Sequence, residues 1–231
     1  MINEYLGDDL ILLTGAPGSK WSAVYRHLSK SIDINSTDKS PERTYSHPYT
    51  SDSNEVKFSN FIGAHQGAYW GPNNEFGDNF DFLHNCSKQY IYNQFVRPFK
   101  HFKGLKIIKS HFFAYNLPYL ASCFPNATIV LCYRNDVDCF TWWHACGGWG
   151  ITYPNYTWYE NDNRMLDKIK EENYNILKFA ADKDASFNTY SVGQLFDKFN
   201  LSKENVANTD EVLKFKIAFT KGVRPAHIHS L

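Results

Sequence analysis

The stretch LILLTGAPGSKWSAVYRHL, residues 10–28, decides the fold prediction. Its first four residues form a continuous apolar run that is typical of a buried strand, and Val24 and Leu28 near its end share one face of a short helix. Between them, Gly15 and Gly18 allow successive backbone N–H groups to converge on an anion, and the helix N-terminus adds its dipole. The stretch therefore predicts a strand, a turn suited to an anion, and a helix. An ordinary tight turn with a capping serine is the alternative.

Further along the chain, two apolar runs are also predicted strands, LKIIK at 105–109 and ATIVLCY at 127–133. Strands that alternate with helices predict a three-layer αβα fold with a central, mainly parallel sheet. A further short strand is predicted over SFNTYSV, residues 186–192, and a final helix is predicted near residues 209–219. Other helices are predicted over residues 21–30, 86–101, 118–123, 163–182 and 194–200.

The chain, residues 1–231, has a length that suits one domain. Residues 31–57 are rich in Ser, Thr, Asp, Asn and Pro without clear periodicity, so they are interpreted either as a loop or lid over a ligand or as a disordered insertion.

The overall composition excludes several classes of function. With 24 basic and 24 acidic residues the formal charge is zero, which argues against nucleic acid or a membrane surface as the main partner. No apolar run approaches the about 20 residues that span a bilayer. Five cysteines without a CxxC pair, and an N-terminus without signal-peptide features, predict reduced thiols and a cytoplasmic location. No HxxxH or HExxH motif is present and no metal site is predicted, although His227 and His229 could bind a metal loosely.

Two further motifs follow predicted strands. KIIKSHFFAYNLP, residues 106–118, places His111 at the carboxyl edge of the sheet, where open α/β folds bind ligands. IVLCYRNDVDCFTWW, residues 129–143, places Arg134 directly after a strand and before a helix, a position suited to a phosphate. From the residues alone, an isolated histidine at this position is more often a hydrogen-bonded structural residue than a base, and the arginine could pair with Asp136 or Asp138 on the same turn.

In this order, the three motifs resemble the sulfotransferases that use 3′-phosphoadenosine 5′-phosphosulfate (PAPS). In that family a P-loop-like first turn reading PKSGTTW wraps the 5′-phosphosulfate, a strand reading IIKTHLP carries the catalytic histidine, and a strand reading YVCRNPKDVAVS binds the 3′-phosphate. KIIKSHFFAYNLP matches the second motif, and VLCYRNDVD matches the beginning of the third. The resemblance covers residues 9–30 and 105–146. It implies a sulfotransferase-like domain that transfers a sulfuryl group from PAPS to a hydroxyl or amine and releases the nucleotide PAP.

The resemblance implies a catalytic role for two residues. His111 would act as general base, a task that suits imidazole because its unperturbed pKa lies near neutrality. Lys20 would stabilise charge on the phosphosulfate, and no metal is required. The loop departs from the family pattern, however: aligned on the proline, Gly18 stands where the family has its catalytic lysine, and Lys20 stands where it has glycine.

The resemblance also implies a nucleotide site. The family serine eight positions after Arg134 is Trp142 here, so Thr141 is the candidate for that hydroxyl contact. NTYSVGQLFDKFNL is similar to the segment that reads YEDL near the adenine, and TKGVR is similar to the RKG element on the 3′-phosphate. The residues implied to bind the cofactor are Gly15, Ala16, Pro17, Gly18, Ser19, Lys20, Trp21, Ser22, Arg134, Thr141, Tyr190, Lys221, Gly222 and Arg224.

The acceptor is expected to be a small molecule, a carbohydrate or a lipid. Candidates for an aromatic wall around it are His65, Tyr69, Trp70, Phe76 and Trp143, although core packing is the expected fate of at least half of the aromatic side chains in these stretches. The sequence leaves a homo-oligomer open.

Two other functions remain as alternatives. A P-loop kinase for a nucleotide or small molecule is disfavoured because the lysine of GK(S/T) is misplaced and because neither later strand ends in the Asp that organises Mg²⁺. A catalytically inactive nucleotide-binding module is suggested by the altered loop and the missing serine.

Overall fold

The computed structural model describes residues 6–39, 68–70, 76, 80–146, 148–150 and 159–220. Within them the strands are β1 (Leu10–Gly15), β2 (Ala68–Tyr69), β3 (Lys106–Lys109), β4 (Thr128–Tyr133) and β5 (Lys216–Phe219). The α-helices are α1 (Trp21–Leu28), α2 (Lys88–Val96), α3 (Leu117–Cys123), α4 (Asp136–Ala145), α5 (Asp162–Asp182) and α6 (Val192–Lys198). Short 3-10 helices cover Leu83–Asn85, His111–Tyr115 and Gly148–Gly150.

The strands of the described residues form one sheet in the order β2-β3-β1-β4-β5. The first four are parallel, and β5 runs antiparallel to β4. Strand β1 lies at the centre and all six of its residues are buried, as expected for a parallel strand covered on both faces. The prediction of an α/β fold with a mainly parallel sheet is confirmed.

Alternate residues of β1 face two separate parts of the core. Leu12 packs in a cluster with side chains of α2, α3 and α5, whereas Leu13 packs with side chains of α1 and α6. Each fully buried side chain of this size contributes about 1.5–3 kcal/mol through burial of apolar area. The continuous apolar run LILL is therefore explained by helices on both sides of the sheet.

Helices that come after β1 and β4 cover opposite faces of the sheet. Helix α1, which follows β1, packs on one face, and α5, which follows β4 by way of α4, packs on the other. Because β1 and β4 are neighbours, the segments that directly follow them meet at the carboxyl edge of the sheet. In open α/β sheets this is the place where ligands bind.

The helix predicted near residues 209–219 is wrong, because these residues supply β5. Leu213, Phe215 and Ile217 are buried, and the lysines between them are exposed. Alternation with a period of two is the pattern of a strand that has one face on the core. Strand β5 pairs with β4 in antiparallel register.

The strand predicted at residues 186–192 is also absent from the regular elements of the described chain. Only isolated bridges form there, at Asn188 and Ser191. Ser191 instead starts α6, since it accepts from the N–H of Gln194 while the Gln194 side chain accepts from the N–H of Ser191. This reciprocal capping box fixes a helix start, which explains why the chain leaves the extended conformation.

None of the helices in the described segments combines the length and the apolar character that a bilayer crossing would need.

Candidate functional site

Three hydrogen bonds join the end of β1 and the loop after it to the chain that follows β3 and to the chain that follows β4. The Ser110 N–H donates to the carbonyl of Leu13 at 3.1 Å, and Thr14 Oγ1 donates to the carbonyl of His111 at 3.4 Å. On the other side, Arg134 Nη1 donates to the carbonyl of Gly18 at 3.1 Å. The structure therefore brings together the three motifs that the sequence predicted at one edge of the sheet.

The loop of residues 16–20 is a tight turn packed under α4. The Ser19 N–H donates to the carbonyl of Ala16 at 2.9 Å. Gly18 has φ +81°, a left-handed conformation that favours glycine, and a Cβ built at this position would overlap the carbonyl oxygen of Cys139 in α4. The glycine at this position is thus required both by its own backbone and by the neighbouring helix.

Lys20 also has a left-handed backbone, with φ +67°. This is the position where the sulfotransferase resemblance has glycine, which adopts such a conformation without steric cost. The backbone of the turn therefore suits the family pattern at residue 20, while the side chain departs from it.

The N-terminus of α1 opens into this turn without a side-chain cap. Lys20 occupies the N-cap position and makes no capping hydrogen bond, whereas Ser87, Asn135 and Asn161 cap α2, α4 and α5. The hydroxyl of Ser19 is buried and has no hydrogen-bond partner among the residues that the structure describes. The first N–H groups of a helix lack intrahelical acceptors, so this end of α1 is suited to an anion and the capping-serine alternative is not supported.

Two cations flank the turn. The Lys20 ammonium lies 3.9 Å above the ring of Trp142, and its pKa is lowered by burial and by the positive charge of Arg134. Burial raises the pKa of the nearby Cys146 thiol to about 12, so this thiol stays neutral and supplies no negative charge. Two positive charges placed this close together indicate a position where an anion would be stabilised.

The aspartates of the same turn do not neutralise Arg134. Asp138 accepts from the side chain of Asn135 at 2.5 Å, and Asp136 accepts from Asn173 Nδ2 at 2.7 Å. Among the described residues, neither Arg134 nor Lys20 forms an ion pair. The interpretation of Arg134 as the partner of an aspartate is therefore not supported.

On the opposite side of β1, His111 is buried against a carboxylate. Its Nδ1 lies 2.8 Å from Oε1 of Glu172 in α5, and the Lys168 ammonium lies 3.4 Å from the same oxygen. A carboxylate beside Nδ1 accepts a hydrogen bond from the ring, so the neutral imidazole carries its proton on Nδ1 and its lone pair on Nε2. This is the tautomer that a base acting through Nε2 requires.

Sequence reasoning missed Glu172, yet a signal was present. Met165, Ile169 and Ile176 form the buried stripe of α5, and Glu172 falls on the same stripe at helical spacing. A carboxylate on an apolar stripe must be paired or must serve a ligand, because burying an unpaired charge costs several kcal/mol.

The surroundings of His111 contain further charged and aromatic groups. The Lys168 ammonium lies over the rings of Phe112, at 4.4 Å, and Tyr115, at 4.1 Å. The Tyr115 hydroxyl donates to Glu171 at 2.9 Å. Burial, the negative charge of Glu172 and this hydrogen bond raise the Tyr115 pKa far above its usual range, so the phenol remains a neutral donor.

Consecutive residues of α5 touch both sides of the site. Glu172 contacts His111, and the next residue, Asn173, donates to the carbonyl of Arg134 at 3.0 Å as well as to Asp136. Asn173 thereby fixes the corner between β4 and α4 from which Arg134 extends.

Of the remaining candidates for the nucleotide site, two lie on other segments than the turn and three lie outside the described residues. Thr141 is exposed on α4, and it is the next residue, Trp142, that contacts Lys20. Tyr190 packs at the β5 edge, with its ring 5.4 Å from that of Phe219. The three C-terminal candidates, Lys221, Gly222 and Arg224, lie outside the described residues, as do His227 and His229.

The candidates for the acceptor wall lie mostly in the core. Trp70 and Phe76 are buried in the cluster that contains Phe95, and Trp143 is buried between α4 and α5. Their rings are enclosed by protein, so they do not form an open wall. His65 and the side chain of Tyr69 lie outside the described residues.

Comparison with known proteins gave no match among protein-family models, curated proteins or solved structures. The likeness to sulfotransferases therefore rests on the three quoted motifs.

Proposed function

We propose that the chain is a PAPS-dependent sulfotransferase that acts on a hydroxyl or amine acceptor. The observation that carries the proposal is the position of the turn at residues 16–20, which lies between His111 on one side and Arg134 on the other at the carboxyl edge of the sheet. Transfer of an anionic group requires a base and positive groups that bind the anion, and the described residues offer His111, an uncapped helix N-terminus and two cations that form no ion pair among these residues.

In this proposal the loop side holds the nucleotide. The N-terminus of α1 and the Lys20 ammonium receive the 5′-phosphosulfate, and Arg134 receives the 3′-phosphate that distinguishes PAPS from ATP. Burial of Lys20 strengthens its attraction to an anion, because electrostatic interactions are less screened away from water.

The transfer step then proceeds in line at sulfur. The acceptor oxygen or nitrogen forms a bond to sulfur, while the bond between sulfur and the bridging oxygen breaks and its electron pair leaves with the 5′-phosphate of PAP. The acceptor proton passes to Nε2 of His111, whose Nδ1 proton remains on the hydrogen bond to Glu172. Glu172 stabilises the imidazolium formed in this step.

Thermal denaturation with nucleotides tests the proposal first. PAP at about 100 times its dissociation constant should stabilise the chain by about 2.7 kcal/mol, which for this length raises Tm by about 5–10 °C. AMP, which lacks the 3′-phosphate, and Mg-ATP serve as matched controls and should give little shift.

The other outcomes assign other functions. A shift with Mg-ATP alone would support the kinase alternative, and the proposed roles of His111 and Arg134 would then be abandoned. A shift with PAP but no sulfated product from any acceptor, tested with PAPS and mass spectrometry, would support the inactive nucleotide-binding module.

A further inference from the structure

The Lys20 ammonium lies against an aromatic ring rather than a carboxylate. It is 3.9 Å from the centre of the Trp142 ring in α4, well inside the about 6 Å within which a cation is attracted to a ring face. Both side chains are half-buried. In the part of the chain that the structure describes, Lys20 forms no ion pair, so the ring face is the partner that the structure gives its charge.

An aromatic partner differs from an acidic one in what it leaves available to a ligand. A carboxylate would neutralise the lysine and compete with an incoming anion, whereas a ring face attracts the ammonium without cancelling its charge. The three N–H donors of an ammonium cannot all point at one ring. Trp142 can therefore hold the cation in place and still leave it able to bind an anion.

The ring belongs to a helix whose position relative to the turn is fixed by packing. The carbonyl of Cys139 lies so close to Gly18 that a Cβ on the glycine would overlap it. Trp142 follows Cys139 by three residues, and residues at this spacing are neighbours on a helix surface. The packing of α4 on the turn thus places Trp142 beside Lys20, the N-cap residue of α1.

The charge of Arg134 is the reason why Lys20 needs such a contact. Arg134 is held at the turn by its hydrogen bond to the carbonyl of Gly18 at 3.1 Å, and its positive charge acts on Lys20. A flexible lysine that is repelled by an arginine would turn toward solvent, where its ammonium is strongly hydrated. The attraction to Trp142 opposes this movement while no ligand is bound.

We propose that Trp142 is a positioning residue that holds the Lys20 ammonium beside Arg134, ready for the 5′-phosphate group of the nucleotide. This inference rests on the proposed function. Because the lysine side chain is ordered before the nucleotide arrives, binding costs less side-chain entropy than it would with a freely moving lysine.

Calorimetric titration of Trp142→Leu with PAP and AMP tests this role. Ordering one freed lysine on binding should lower the affinity by about two- to tenfold. Both nucleotides should lose affinity by the same factor, because both carry the 5′-phosphate. Unchanged affinity, or a loss confined to PAP, would overturn the inference. A higher affinity would also overturn it, because the ring would then keep the ammonium away from the ligand.

Two single variants serve as controls. Trp142→Phe keeps an aromatic face for the ammonium, so its affinity for both nucleotides should stay close to the wild-type value. Trp149→Leu removes a different tryptophan, whose indole N–H donates to Asp162 at 2.8 Å, and should also bind as the wild type does. Equal losses in Trp142→Phe and Trp142→Leu would contradict a role of the ring face.

The Lys20→Met background distinguishes positioning from a general structural role. Without the ammonium, Trp142→Leu should cause no further loss of PAP affinity. A further loss by the same factor would show that Trp142 supports the fold and does not act through Lys20. If Trp142→Leu does not fold, Trp142→Met removes the ring with a flexible apolar side chain and gives the same comparisons.

Two results separate this inference from the proposed function. If PAP does not bind the wild-type protein, the proposed function and the inference both fail. If PAP binds the wild type and Trp142→Leu equally well, only the inference fails.

Discussion

The two sides of β1 carry opposite electrostatic arrangements. On the β4 side, Lys20 and Arg134 approach each other around an uncapped helix N-terminus and have no counter-ion among the described residues. On the β3 side, His111 is buried against Glu172, which is itself paired with Lys168. Among the described residues, the cations of the first side have no ion-pair partner, whereas the histidine of the second side lies against a carboxylate. Under the proposed function, the anion and the proton would therefore be bound by different residues at one edge of the sheet, and the two sets of residues can be mutated separately.

The largest expected effect comes from the β3 side. His111→Gln keeps a donor for the buried Glu172 but removes the basic nitrogen, so turnover should fall by about 10²–10⁴-fold. PAP affinity should be unchanged, because the proposed nucleotide site lies on the other side of β1. Turnover is measured as PAP release from PAPS with the best acceptor found by screening.

The exposed His84 provides the control for this change. His84→Gln should leave both turnover and PAP affinity at the wild-type values. Unchanged turnover in His111→Gln would reject the proposed base, and a parallel loss of PAP affinity would show that the two sides are not separable.

An intermediate effect is expected on the β4 side. Arg134→Gln would remove the proposed charge-assisted contact to the 3′-phosphate, so PAP affinity should fall by about 10- to 100-fold. AMP affinity should change much less, because AMP lacks the 3′-phosphate. Calorimetric titration of both nucleotides measures the change, and Arg164→Gln on the exposed face of α5 is the control. Equal losses for PAP and AMP would place Arg134 elsewhere than on the 3′-phosphate.

The smallest expected effect concerns Lys20, whose ammonium is only partly buried. Its pKa is lowered in the folded state, so the unfolded state binds the proton more strongly and the stability contributed by this residue rises with pH toward the ordinary value of 10.5. The wild type should therefore gain stability relative to Lys20→Met as the pH rises toward 10.5 in urea denaturation without nucleotide. A gap that moves in the opposite direction would contradict the lowering of the Lys20 pKa by burial and by Arg134.

Local sequence patterns were sufficient to predict the central strands and the turn. The runs at β1, β3 and β4 are continuous and apolar, and the glycines of the turn follow β1 directly. Because carboxyl ends of parallel strands share one edge, His111 and Arg134 could be expected near the turn before any coordinates existed.

Contacts between distant segments could not be predicted in the same way. Glu172 lies 61 residues from His111 along the chain, and Asn173 lies 39 from Arg134. Periodicity shows which face of α5 is buried but does not show which strand end that face meets. The aromatic residues show the same limit. From the sequence, Trp70 and Phe76 could belong either to a pocket wall or to the core, and only their packing in the structure places them in the core.

Gly18 makes the shape of the turn a property of two segments at once. Its left-handed backbone disfavours every other residue, and any side chain would meet the carbonyl of Cys139. A substitution there would require both a different turn and a displaced α4, two changes that a single mutation cannot supply together. In evolutionary terms, exposed positions around the turn are free to vary one at a time, whereas position 18 is restricted to glycine as long as α4 keeps its place.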